Sequence, residues 1–64
     1  MLTDSKAILR RLNREGWVVT RIAGSHHICR HAGGGKIVIV PHPKKDLPLG
    51  TVKNIYRQAG WPRD

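Results

Sequence analysis

The residues with the greatest chemical capacity stand together in Gly24-Ser25-His26-His27-Ile28-Cys29-Arg30-His31. This run holds three imidazoles, a hydroxyl, a thiol and a guanidinium. An ordinary imidazole titrates near pH 6.5, so it can both take and give a proton close to neutrality. One chemistry open to such a set is attack on an RNA phosphodiester. RNA carries its own nucleophile, the ribose 2′-hydroxyl, and a base that removes that proton lets the oxygen attack the adjacent phosphorus. The products are a 2′,3′-cyclic phosphate and a 5′-hydroxyl. One positioned base contributes about 10² to 10⁴ in rate. The remainder must come from orienting the RNA and from cations near the phosphate, for which Arg21, Arg30, Lys44 and Lys45 are the candidates. Gly24 lets the backbone approach a phosphate and Ser25 can donate a hydrogen bond to it. The same two residues also suit a plain hairpin turn. His27, His42 or water would protonate the leaving oxygen, and the sequence does not choose among them.

The second chemistry is metal binding, because His27, Cys29 and His31 are zinc-ligand types at alternate positions. A strand rises about 3.3 Å per residue, which sets His27 and His31 roughly 13 Å apart. Zinc bonds of about 2.0 to 2.3 Å cannot gather all three on a straight strand. Two of them would need help from His42. The expectation is therefore no metal and no cofactor, with Cys29 a small buried apolar residue.

The elements that must position these groups are short. Asp4 to Glu15 has Ile8, Leu9 and Leu12 at helical spacing, with Thr3 or Asp4 as cap and Gly16 as a left-handed stop. Arg10, Arg11 and Arg14 fill its last turns, where they suit the helix dipole as well as they suit RNA. WVVTRIA, residues 17–23, reads as a strand, and HHICRH follows after a two-residue gap, which predicts a hairpin. HAGGGK is a loop and KIVIV, residues 36–40, a third strand. Residues 41–50 form a proline-bounded loop that places Lys44 and Lys45 near a second helix, about 50–59, which Gly60 ends. Gly50-Thr51 either presents amides to a phosphate or caps that helix with Thr51. Trp17 and Trp61 read as closing the core. KIVIV is almost wholly apolar, which suggests a central strand or a docking contact. Strand alternation puts His26, Ile28 and Arg30 on one face and His27, Cys29 and His31 on the other. Each set mixes apolar with polar residues, so periodicity does not say which is buried.

The order α-β-β-β-α implies a single α+β domain over residues 1–64. Two helices would cover one face of a three-stranded antiparallel sheet, as in a double-stranded-RNA-binding domain. In a chain of this size the core is thin and a shallow surface site is expected. Twelve Lys and Arg against four Asp and Glu give a net charge of +8, which points to a polyanionic partner. No apolar run approaches the roughly 20 residues of a membrane span. The single Cys29 excludes an internal disulfide, and MLTDSKAILRR lacks a signal peptide's apolar core, so a cytoplasmic location is expected.

Several segments carry a resemblance beyond these rules. GW at 16–17, GSHH at 24–27, RH at 30–31, VPHPKKDLPLGTVKNI at 40–55 and QAGW at 58–61 run in order along the chain. In these the sequence resembles the HicA toxins, the mRNA interferases of type II toxin–antitoxin systems. The resemblance implies a double-stranded-RNA-binding-like fold and ribosome-independent cleavage of RNA, and with no metal expected the reading is a metal-independent endoribonuclease acting on mRNA. It also implies a HicB-like antitoxin that blocks the site. Separately, the apolar third strand leaves a homodimer or a hetero-oligomer with the antitoxin as the expected assemblies. The histidine directly after Gly-Ser, His26, takes the role of general base. Cys29 departs from the aromatic residue often found at that position, so packing beneath the strand is expected to be looser. Two alternatives remain. One is a non-catalytic RNA-binding module of the same fold, and the other is an interaction protein whose third strand docks another chain.

Overall fold

The computed structural model describes residues 1–64. Helix α1 (Ser5–Arg14) starts where Asp4 accepts the Lys6 amide at 3.2 Å, and it buries Ile8 and Leu12. Gly16, at φ +93°, turns the chain into strand β1 (Trp17–Ala23). A Cβ at Gly16 would meet His31 Nε2 at 3.1 Å, so both the backbone angle and the space require glycine there. Strand β2 (His26–His31) follows the Gly24-Ser25 turn. Gly24 has φ +59° and Ser25 does not have positive φ, the sign pattern of a type II′ turn.

Strand β3 (Ile37–Pro41) pairs antiparallel with β2, giving the sheet order β1-β2-β3. The apolar third strand is thus an edge and β2 is the centre, contrary to the central position its composition suggested. Val38 and Val40 are fully buried, while Ile37 and Ile39 are each 40% exposed on the opposite face. The strand is apolar on both faces although only one is covered.

Helix α2 (Leu49–Ala59) follows the loop and buries Val52, Ile55 and Tyr56. Its N-cap is Pro48, with no side-chain cap, so Thr51 lies within the first turn and does not cap it as one reading had it. Gly60 ends the helix in the left-handed conformation at φ +75°.

Both helices lie on one side of the sheet, and eleven apolar side chains close the core between them. Full burial of a side chain such as Ile55 or Val38 is worth about 1.5–3 kcal/mol. Trp17 and Trp61 belong to this core, as their sequence positions beside glycines suggested. Cys29, 1% exposed, is part of it too. The molecule's two concavities both lie at α2, away from Cys29. The C-terminal segment locks onto α1. Trp61 Nε1–H donates to Glu15 Oε1 at 2.7 Å, and the Arg11 guanidinium lies 4.0 Å over the indole. The indole N–H holds the Glu15 carboxyl below its ordinary range, and Arg11 adds to this. No helix is long and apolar enough to cross a membrane.

Candidate functional site

Cross-strand partners share a face of the sheet, so the register decides which side each residue takes. Arg30 stands opposite Val18 and Ile37, Ile28 opposite Arg21 and Ile39, and His26 opposite Ala23 and Pro41. These residues form the open face. Trp17, Cys29, His31, Val38 and Val40 lie on the helix side, with His27. Between Val19 and Arg21 the β1–β2 register shifts, leaving Thr20 as the extra residue of a β-bulge. Strict alternation from Trp17 would have turned Arg21 toward the helices. The bulge puts it beside Ile28 on the open face, with the Thr20 hydroxyl donating to the Ile28 carbonyl at 3.3 Å.

His26 begins β2, is exposed, and its ring makes no hydrogen bond within the protein. Arg21, Arg30, Lys44 and Lys45 are exposed as well. The two ion pairs of the fold, Met1–Asp64 and Arg11–Glu15, involve none of them. The turn beside His26 is tied to the proline loop. The His42 amide donates to the Ser25 carbonyl at 2.7 Å, and Pro41 sits directly opposite His26. Gly24, Ser25 and His26 therefore share one end of the sheet with the 41–45 loop. Arg21 stands one residue pair further along the same face. Arg30 is the outlier, roughly 13 Å down β2 from His26 at strand rise.

The loop is pinned on its other side by Ser5, which is fully buried. Ser5 Oγ accepts the Lys44 amide at 2.9 Å and lies 2.7 Å from His42 Nδ1, while the Ser5 amide donates to the Lys44 carbonyl at 2.9 Å. The arrangement that satisfies every group has the Ser5 hydroxyl donating to Nδ1 of His42, leaving that ring's proton on Nε2. The His42 ring meets His27 edge-on, with centroids 4.9 Å apart. Nδ1 of His27 is buried without a hydrogen-bond partner in the protein.

His31 is saturated. Its Nδ1 accepts the Gly33 amide at 3.0 Å, so Nε2 carries the proton and donates to the Glu15 carbonyl at 2.9 Å. The three residues weighed as zinc ligands thus go separate ways: Cys29 into the core, His31 to α1's end, and His27 against His42. Burial raises the Cys29 thiol's pKa, keeping it protonated. No three His, Cys, Asp or Glu side chains come together as a metal site.

Sequence reasoning missed Ser5. The available signal was His42 held between two prolines, a residue with little freedom that must find a fixed partner. A model of the family described as HicA toxin of bacterial toxin–antitoxin matches residues 5–61. A search of curated proteins finds no match.

Proposed function

Since the chain belongs to the HicA toxin family, and so is the toxin of a toxin–antitoxin pair, we propose that it acts as a metal-independent endoribonuclease on mRNA with His26 as general base. One observation carries the reading: His26 is an exposed imidazole without a protein partner, on the cation-bearing face of the sheet. In this mechanism His26 takes the 2′-hydroxyl proton. Gly24 and Ser25 line the approach to the scissile phosphate. Lys44 and Lys45, on a loop anchored through Ser5, oppose the charge that develops on it, and Arg21 and Arg30 hold the flanking backbone.

His27 and His42 pack against each other on the helix side. Neither is then the acid beside His26, and the leaving oxygen takes its proton from water. The same fact favours the rival reading, a module that binds RNA without cutting it, because no second proton-transfer imidazole shares the face of His26. We further propose that the partner is a HicB-like antitoxin of acidic character. It would cover His26 and the exposed Val18, Ile37 and Ile39 on the same face.

Incubating the purified chain with RNA in chelator, beside His26→Ala, tests the mechanism. Cleavage with 2′,3′-cyclic phosphate ends that disappears in the variant supports it. Cleavage that persists in His26→Ala, or that needs a divalent ion, refutes it. Binding without cleavage by the parent chain supports the module.

A further inference from the structure

The second basic surface of the molecule lies away from His26, on the outer side of α2. Gly50, Lys53, Asn54, Arg57 and Gln58 follow one another at helical spacing, opposite the buried Val52, Ile55 and Tyr56. Two concavities open along this stripe and share Arg57. One, of about 290 Å³, is completed by Lys36 and Ile37 at the start of β3. The other, of about 180 Å³, is completed by Arg63 and has no apolar residue in its wall.

A merely solvated helix face ordinarily mixes charges of both signs, with acids paired to bases one turn away. This one does not. α2 contains no acidic residue, and none lines either concavity. The four acids are placed elsewhere: Asp4 caps α1, Glu15 pairs with Arg11, Asp64 pairs with the N-terminus, and Asp46 lies in the loop before α2. Lys53 and Arg57 are like charges at i and i+4, a spacing that mildly destabilises a helix. Arg57 Nη2 donates to the Asn54 side-chain carbonyl, which orients the guanidinium along the stripe.

We infer that the outer face of α2, from Lys53 through Arg57 to Arg63 with Lys36 at its border, is a second binding site for a phosphodiester backbone. It would hold RNA that flanks the segment at His26. The charged groups, ammonium and guanidinium, are donors only, the Asn54 and Gln58 amides add N–H donors, and these match phosphate oxygens. A protein-docking patch would have an apolar centre, whereas the apolar residues here, Ile37 and Leu49, stand at the margins of a cationic stripe. The inference rests on RNA being the substrate, though not on His26 being the base. Ile37, directly after Lys36, opens β3 while Pro41, opposite His26, closes it. The edge of β3, roughly 13 Å long at strand rise, therefore connects the two sites.

The test uses the full chain carrying His26→Ala, so that binding is read without cleavage. Lys53→Gln, Arg57→Gln and Arg63→Gln are added together, and affinity for single-stranded RNA is measured across a salt series. The expected result is binding weaker by roughly tenfold to a hundredfold at low salt, with the salt slope reduced by about 2, irrespective of RNA sequence. Arg57→Lys with Lys53→Arg keeps the charge and should bind as the parent does. A short RNA confined to the His26 face should be indifferent to the triple substitution, whereas a long one should respond. Unchanged affinity and slope for long RNA, in a variant with the parent's melting midpoint, would overturn the inference. So would a loss confined to antitoxin binding. Failure of His26→Ala to stop cleavage would refute the catalytic assignment and leave this result standing.

Discussion

His26 and His27 are neighbours in the chain with opposite surroundings. The first projects from the open face of the sheet with both ring nitrogens free of protein partners. The second faces the helices, packed edge-on against His42 with one nitrogen buried. His42 and His31 resemble His27 in this respect, since Ser5 occupies a nitrogen of one, and Glu15 and Gly33 occupy both of the other. Three of the four imidazoles are engaged within the fold, and the His26 ring alone is left free. Residue type alone did not separate them. What separates them is the face of β2 and the groups waiting there.

That contrast can be broken at either face. The largest effect is expected from His26→Ala, which should lower RNA cleavage by about 10² to 10⁴. As a surface substitution it should change stability by no more than about 0.5 kcal/mol. A matching loss of melting temperature would place His26 with the architectural histidines. Ser5→Ala should do the reverse. It orphans the Lys44 amide and His42 Nδ1 in a buried site, at about 2 kcal/mol or more in a denaturant titration. Cleavage should then fall through the loosened Lys44-Lys45 loop, without the near-complete loss of His26→Ala. Gly16→Ala probes the His31 staple. The positive φ and the 3.1 Å approach to Nε2 should together destabilise the fold by about 1–3 kcal/mol, visible in thermal unfolding.

The smallest effect concerns acid. The Glu15 carboxyl is held below its ordinary value of 4.5 by the Trp61 indole N–H and by Arg11. A depressed folded-state pKa means that the native chain binds fewer protons than the unfolded one. Its contribution is complete above pH 4.5 and is lost as pH falls through the lowered value. The side chain is 42% exposed, so solvent screens the pair and the contribution stays below about 1 kcal/mol. Glu15→Gln should flatten the acid limb of a melting-temperature profile slightly.

Much of the fold could be read from the sequence because its punctuation is local. Asp4, Gly16, Gly24-Ser25 and Gly60 each act within a few residues of themselves, and each stands where the chain turns. The faces of the sheet were harder to read. β1 changes phase at Thr20, and β2 alternates between two mixed sets, so no periodicity rule could decide whether His26 or His27 was buried. The apolar run in β3 misled for a related reason, since an edge strand with one solvent-facing apolar row looks like a central strand. Thr51 had the right chemistry for a cap but stood inside the helix that Pro48 begins. Within the candidate site, the tie from Ser5 to His42 and Lys44 joins residues far apart in the chain, and such a contact leaves no local signature. The cations of α2 were visible as residues but not as a surface until the helix brought them into line.

The bulge at Thr20 has one more consequence. A seven-residue edge strand exposing Val18, Val19 and Ile22 would invite another chain to add itself by backbone pairing, the first step toward aggregation. An unpaired extra residue bends such a strand and interrupts its outward ladder midway. The opposite edge ends in Pro41, which has no amide hydrogen to offer a newcomer. Both margins of the sheet are thereby blunted, one by a residue too many and the other by a proton too few.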